Sequence, residues 1–94
     1  MSVKFLVHHE KDNVGVAVVD IAAGVEADGR YRDQVGDLKI KLSDDVPLGH
    51  KIALVAISNG NSIIEYGVVI GLATKDISVG QQVHVHNLKG QRWN

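Results

Sequence analysis

Apolar and polar residues follow one another in short runs, and none of the runs has helical spacing. Leu38-Lys39-Ile40-Lys41-Leu42 alternates strictly, which puts its apolar side chains on one face of a strand and its lysines on the other. Val3–Val7 reads as a first short strand. Residues 14–19 are apolar throughout apart from Gly15, the pattern of a strand buried on both faces. Residues 52–57, 62–66, Val68–Ala73 and 82–86 bring the prediction to about seven strands, rich in the valine and isoleucine that strands favour. The predicted fold class is all-β.

Glycines punctuate these runs. Ile21-Ala22-Ala23-Gly24, Ile57-Ser58-Asn59-Gly60 and Ile77-Ser78-Val79-Gly80 share the form Ile-x-x-Gly: an apolar anchor, then a turn closed by the residue that tolerates positive φ. Their spacing is irregular, so they predict one turn type reused at corners of a compact β fold, not a solenoid. Pro47 sets a further turn ahead of Gly49.

Size and composition narrow the function. Ninety-four residues make one domain with little material for a deep private pocket. Ten basic and eleven acidic residues leave a net charge of −1, so nucleic acid is not the expected partner. No cysteine is present, which excludes a disulfide framework, a thiolate nucleophile and a cysteine-bound zinc. No leader and no apolar run of membrane-spanning length is visible, so the expected setting is the cytoplasm, with no membrane partner.

The histidines carry the candidate chemistry. On a strand over 82–86, His84 and His86 would share a face, close enough to converge on one metal or one anionic group. The alternative is two surface histidines flanking a buried Val85. Asn87 either hydrogen-bonds a substrate oxygen or caps the turn. His50 lies at the Pro47 turn as the chain enters a strand and reads either as a functional turn residue or as an ordinary polar turn. His8 and His9 point to opposite sides if the first strand continues through them. Asp12-Asn13 and Asp44-Asp45 read as turn residues. The segment 84–94 has no acid and carries Lys89 and Arg92, which suits either a carboxylate- or sulfonate-bearing ligand or a solvated tail. Trp93 reads either as a partner anchor or as a residue folded back on its own sheet.

Four stretches of residues carry a resemblance to a known family. They are Asp12-Asn13-Val14-Gly15-Val16-Ala17, Pro47-Leu48-Gly49-His50-Lys51-Ile52-Ala53-Leu54, Tyr66-Gly67 with Ile70-Gly71, and His84-Val85-His86-Asn87 with Arg92-Trp93. Together they resemble the SAF domain of the altronate dehydratase family over nearly the whole chain. The resemblance implies a compact β-clip domain acting in a lyase. It further implies a small anionic 2-hydroxy acid substrate, a large catalytic partner subunit, and a divalent metal, typically iron(II), bound mainly by that partner. By motif, His84, His86 and Asn87 would be this chain's catalytic contribution, with His84 and His86 as metal ligands. His50, Lys51 and Arg92 would bind substrate, and Trp93 would meet the partner. The opening Phe5-Leu6-Val7-His8-His9 and the Arg92-Trp93 ending look most like the family's free-standing small subunit, which serves a lyase that eliminates sulfite. Fused members are sugar-acid dehydratases of the altronate and galactarate type, and the same fold also serves non-catalytic carbohydrate- or partner-binding modules. Glu65 stands where the family commonly has lysine. If that position meets an anionic ligand, the change reverses its sign; if it is merely exposed, nothing changes.

Overall fold

The computed structural model of the chain describes residues 2–90. Nine short strands run in the order β1 (Val3–Val7), β2 (Val14–Ala17), β3 (Glu26–Tyr31), β4 (Asp37–Lys41), β5 (Lys51–Ala53), β6 (Ser62–Glu65), β7 (Val68–Ala73), β8 (Gln82–Val83) and β9 (Leu88–Gly90). They form a six-stranded sheet, β4-β3-β1-β2-β5-β8, and a three-stranded sheet, β6-β7-β9. Among the described residues only β1 and β3 pair in parallel; every other ladder is antiparallel. No helix among the described residues is long and apolar enough to cross a membrane.

The central strands β2 and β5 feed two cores because successive side chains leave opposite faces. Ala17, Ile52 and Leu54 join Phe5, Val7 and Ile40 in one core. Val14 and Ala53 join Ile63, Ala73, Ile77 and Val83 in the other. Burial on both faces is thus real, but it ends sooner than the apolar run does. β2 stops at Ala17, and Val18 and Val19 are 38% and 42% exposed. β5 likewise stops at Ala53, and β8 stops at Val83.

Two strands lie outside the sequence expectation. In β3, Glu26, Asp28 and Arg30 alternate with Ala27 and Gly29, so the inward face is small rather than hydrophobic. Smallness is required there, because a Cβ on Gly29 would run into the Phe5 ring. β9 is three residues long, too short to show a period.

The corners are built from one turn used four times. Besides the three Ile-x-x-Gly turns, Val46-Pro47-Leu48-Gly49 is a fourth copy, and the four associate in two pairs. Ile21 and Val46 exchange both backbone hydrogen bonds at 2.9 and 2.8 Å, as do Ile57 and Ile77. Each closing glycine donates to the carbonyl of the residue four positions ahead of its partner turn: Gly24 to Leu42, Gly49 to Ala17, Gly60 to Ala73 and Gly80 to Ala53. The four glycines have φ of 88°, 86°, 89° and 86°, which a side chain would strain. Three turns are also capped by a carboxylate from the opposite copy. Asp20 accepts from the Leu48 N–H, Asp45 from the Ala23 N–H and Asp76 from the Asn59 N–H, at 2.8, 2.8 and 2.9 Å.

Candidate functional site

The β8–β9 turn and the start of β5 bring two histidines together at the edge of the larger sheet. The edge is built on Gln82, which pairs with Ile52 across β5–β8. Its N–H donates to Asp44 Oδ2 at 2.9 Å, and its carbonyl accepts from Asn87 Nδ2 at 2.8 Å. With its backbone held on both sides, Gln82 places its side-chain oxygen 2.7 Å from His50 Nδ1. The His50 ring in turn stacks on His84, with centroids 4.5 Å apart and planes 27° from parallel.

His84 and His86 do not share a strand face. Residues 84–87 form a tight turn in which the Asn87 and Leu88 N–H groups both donate to the His84 carbonyl, at 3.0 and 2.8 Å. The strand ends early because Asn87 closes the chain on itself. Its Oδ1 accepts from the His84 N–H at 2.9 Å while its Nδ2 donates to Gln82, and the residue is only 2% exposed. Both polar ends of Asn87 therefore bond to backbone, which gives it a capping role, and its burial keeps the side chain off the exposed surface of the turn. Val85 is 80% exposed rather than buried, and His84 and His86 are exposed beside it.

Lys51 parts company with His50. The two are consecutive in an extended stretch, so their side chains leave opposite sides of the sheet. Lys51 Nζ lies 3.9 Å from Glu65 Oε1, and Glu65 Oε2 lies 3.9 Å from His8 Nε2. Glu65 is thus neither an exposed residue nor one facing the His50–His84 edge; its side chain is 12% exposed and sits between two basic groups. His8 also stacks on Tyr66 at 4.1 Å.

The Asp12-Asn13 pair does more than turn the chain. Asp12 is 9% exposed and accepts from the Tyr66 and Gly67 N–H groups at 3.0 and 2.8 Å. Those two residues form the β6–β7 turn with φ of 56° and 74°, so the carboxylate pins a hairpin that needs left-handed backbone. Asn13 bridges to β6 through Ser62 and Ile64, at 2.9 and 2.8 Å. Nothing in the local sequence signals these contacts, because the partners lie about fifty residues away.

No group of three or more metal-binding side chains occurs among the described residues. The His50–His84 pair offers two imidazoles, fewer than the three protein ligands usual in a catalytic centre. Arg92 and Trp93 lie outside the described residues. A groove of about 430 Å³ runs between the first pair of turns along Asp20, Ile21, Asp45 and Val46, and no histidine lines it.

Fold and site together define a class: a small all-β domain locked by paired glycine turns, with the His50–His84 pair at a sheet edge. Comparison with known proteins places the chain within that class. The family model for the SAF domain of altronate/galactarate dehydratase matches residues 3–91. Subunit alpha of (2R)-sulfolactate sulfo-lyase from Chromohalobacter salexigens is 40% identical over 94 residues, covering 99% of this chain and all of the relative. Its counterpart from Paracoccus pantotrophus is 42% identical over 57 residues, 61% of this chain and 85% of the relative. Altronate dehydratase from Bacillus subtilis is 42% identical over 85 residues, which is 90% of this chain but 16% of that protein. The chain belongs to the SAF domain family of altronate and galactarate dehydratases.

Proposed function

We propose that this chain is the small subunit of (2R)-sulfolactate sulfo-lyase, acting with a large catalytic subunit in the cytoplasm. The supporting observation is end-to-end correspondence at 40% identity with a separate alpha subunit. The runner-up is a subunit or domain of an altronate- or galactarate-type dehydratase. It has similar identity behind it, but the match covers only 16% of the altronate dehydratase from Bacillus subtilis.

Both readings share one chemistry. A base removes the proton at C2 of the 2-hydroxy acid, and the electron pair forms a C2–C3 double bond. The leaving group departs from C3 with its bonding pair, as sulfite in one case and, after an acid protonates the C3 hydroxyl, as water in the other. The resulting enol becomes a 2-keto acid, which is pyruvate from sulfolactate. In this proposal a divalent metal, iron(II), would be held mainly by the large subunit and would supply Lewis-acid polarisation of the hydroxy-carboxylate. His50 and His84 are the residues this chain brings to that site, with His86 on the same exposed turn.

The test combines the purified chain with its large subunit and iron(II) and offers sulfolactate, altronate and galactarate in turn. Sulfite and pyruvate in equal amounts from sulfolactate, with neither subunit active alone, is the expected result. A 2-keto acid formed from a sugar acid without sulfite would move the chain to the dehydratases. His84→Ala is expected to lower kcat by at least ~10²-fold, the scale of losing a positioned acid–base group. An unchanged kcat in an intact complex would remove His84 from the site.

A further inference from the structure

We infer that Gln82 is a positioning residue that fixes His50 as the Nδ1–H tautomer and so offers the His50 Nε2 lone pair at the site. The inference rests on the lyase reading above for its catalytic consequence, but its structural part stands on this chain alone. The Gln82 side-chain oxygen can only accept, so a 2.7 Å contact with His50 Nδ1 places a hydrogen on that nitrogen. A neutral imidazole with a proton on Nδ1 carries its lone pair on Nε2.

Gln82 suits this role because it has little freedom of its own. Asp44 takes its N–H, Asn87 holds its carbonyl, and β5 pairs with it at Ile52. The network reaches the second ring as well, since Asn87 also accepts from the His84 N–H and His84 stacks on His50. One residue of β8 therefore sets the tautomer of His50 directly and the placement of His84 through Asn87. The family motifs that drew attention to His50, His84 and Asn87 do not include Gln82.

A base or ligand atom must be both deprotonated and aimed, and a ring of the wrong tautomer presents a donor where an acceptor is needed. Losing such an orienting partner typically lowers activity about 10- to 100-fold. The test has two arms. In the first, two-bond proton–nitrogen spectra of the free chain at alkaline pH read the ring nitrogens of His50. The wild type is expected to show Nδ1 protonated and Nε2 bare. Gln82→Leu is expected to drift toward the Nε2–H form that free imidazole side chains favour, and Gln82→Glu, which keeps an acceptor oxygen, to retain the wild-type form. In the second arm, the two-subunit complex with sulfolactate is expected to lose about 10- to 100-fold in kcat in Gln82→Leu, with little change in KM, and to recover with Gln82→Glu.

A wild-type His50 protonated on Nε2, or a tautomer indifferent to Gln82→Leu, would overturn the inference whatever the enzyme does. A shifted tautomer with unchanged kcat would overturn the catalytic part. The expected tautomers in a complex that lacks sulfolactate activity would count against the lyase reading while supporting the ring assignment. The backbone amide spectrum of each variant shows whether the fold is kept.

Discussion

Asn87 looks like a reactive-site residue in sequence and behaves as a peg in the fold. Its amide satisfies the His84 N–H and the Gln82 carbonyl, and it is buried while doing so. Asn87→Ala would leave both backbone groups without that partner, and unsatisfied buried groups cost about 1–3 kcal/mol each. The expected outcome is a lower urea midpoint and a disordered 84–87 turn by amide exchange; unchanged protection across the turn would contradict it. Glu65 poses the opposite case. Its sequence context raises the question of a reversed charge at the substrate, yet the structure sets it against Lys51 and His8, away from the His50–His84 edge. Glu65→Gln is therefore expected to leave KM for sulfolactate within about twofold and to shift stability by about 1 kcal/mol or less, the scale of a partly exposed ion pair. A large change in KM would bring Glu65 back to the ligand.

At the scale of elements, the turn repeat is the main structural device. Three copies are visible from their Ile-x-x-Gly spacing. The fourth hides because Val46 replaces isoleucine and Pro47 looks like an independent turn signal. Pairing also exposes an irregularity that only the assembled turns reveal. Asp20, Asp45 and Asp76 each cap the opposite turn, while the equivalent position in the third copy is Ala56. Ala56→Asp is expected to supply the missing acceptor to the Val79 N–H and to stabilise the chain by about 0.5–1.5 kcal/mol, the net value of one hydrogen bond. Asp76→Ala, which removes an existing cap, is expected to shift the urea midpoint by a similar amount in the other direction. No change in either variant would mean that the turns do not depend on their carboxylates. The strand β3 was illegible for a related reason: a face made of Ala27 and Gly29 has no hydrophobic period, and its smallness is explained only by the Phe5 ring pressed against it.

For the whole molecule, dimensions of 40 × 27 × 19 Å leave the two cores thin and the candidate site on the rim. The small size that excludes a deep private pocket fits a site completed by another chain. Trp93, which reads from sequence either as an anchor for that partner or as a residue folded back on its own sheet, gives the corresponding prediction. Trp93→Ala should weaken association with the large subunit by about 2 kcal/mol or more, as hot-spot residues do. Unchanged affinity by calorimetry would return Trp93 to its own domain.

Local pattern determined what local physics can determine: the all-β class, the alternation in β4, the apolar interior strands, the glycine turns and the family motifs. Each depends on side-chain period, glycine's backbone freedom or residue identity, all of which are written along the chain. Tertiary structure alone decided which histidines meet, because the His50–His84 stack joins residues 34 positions apart through a strand pairing. It also separated Lys51 from His50, turned Asn87 inward, and gave Asp12 and Asn13 their partners in the second sheet. Those outcomes follow from register and burial, which bring together groups that no local spacing relates.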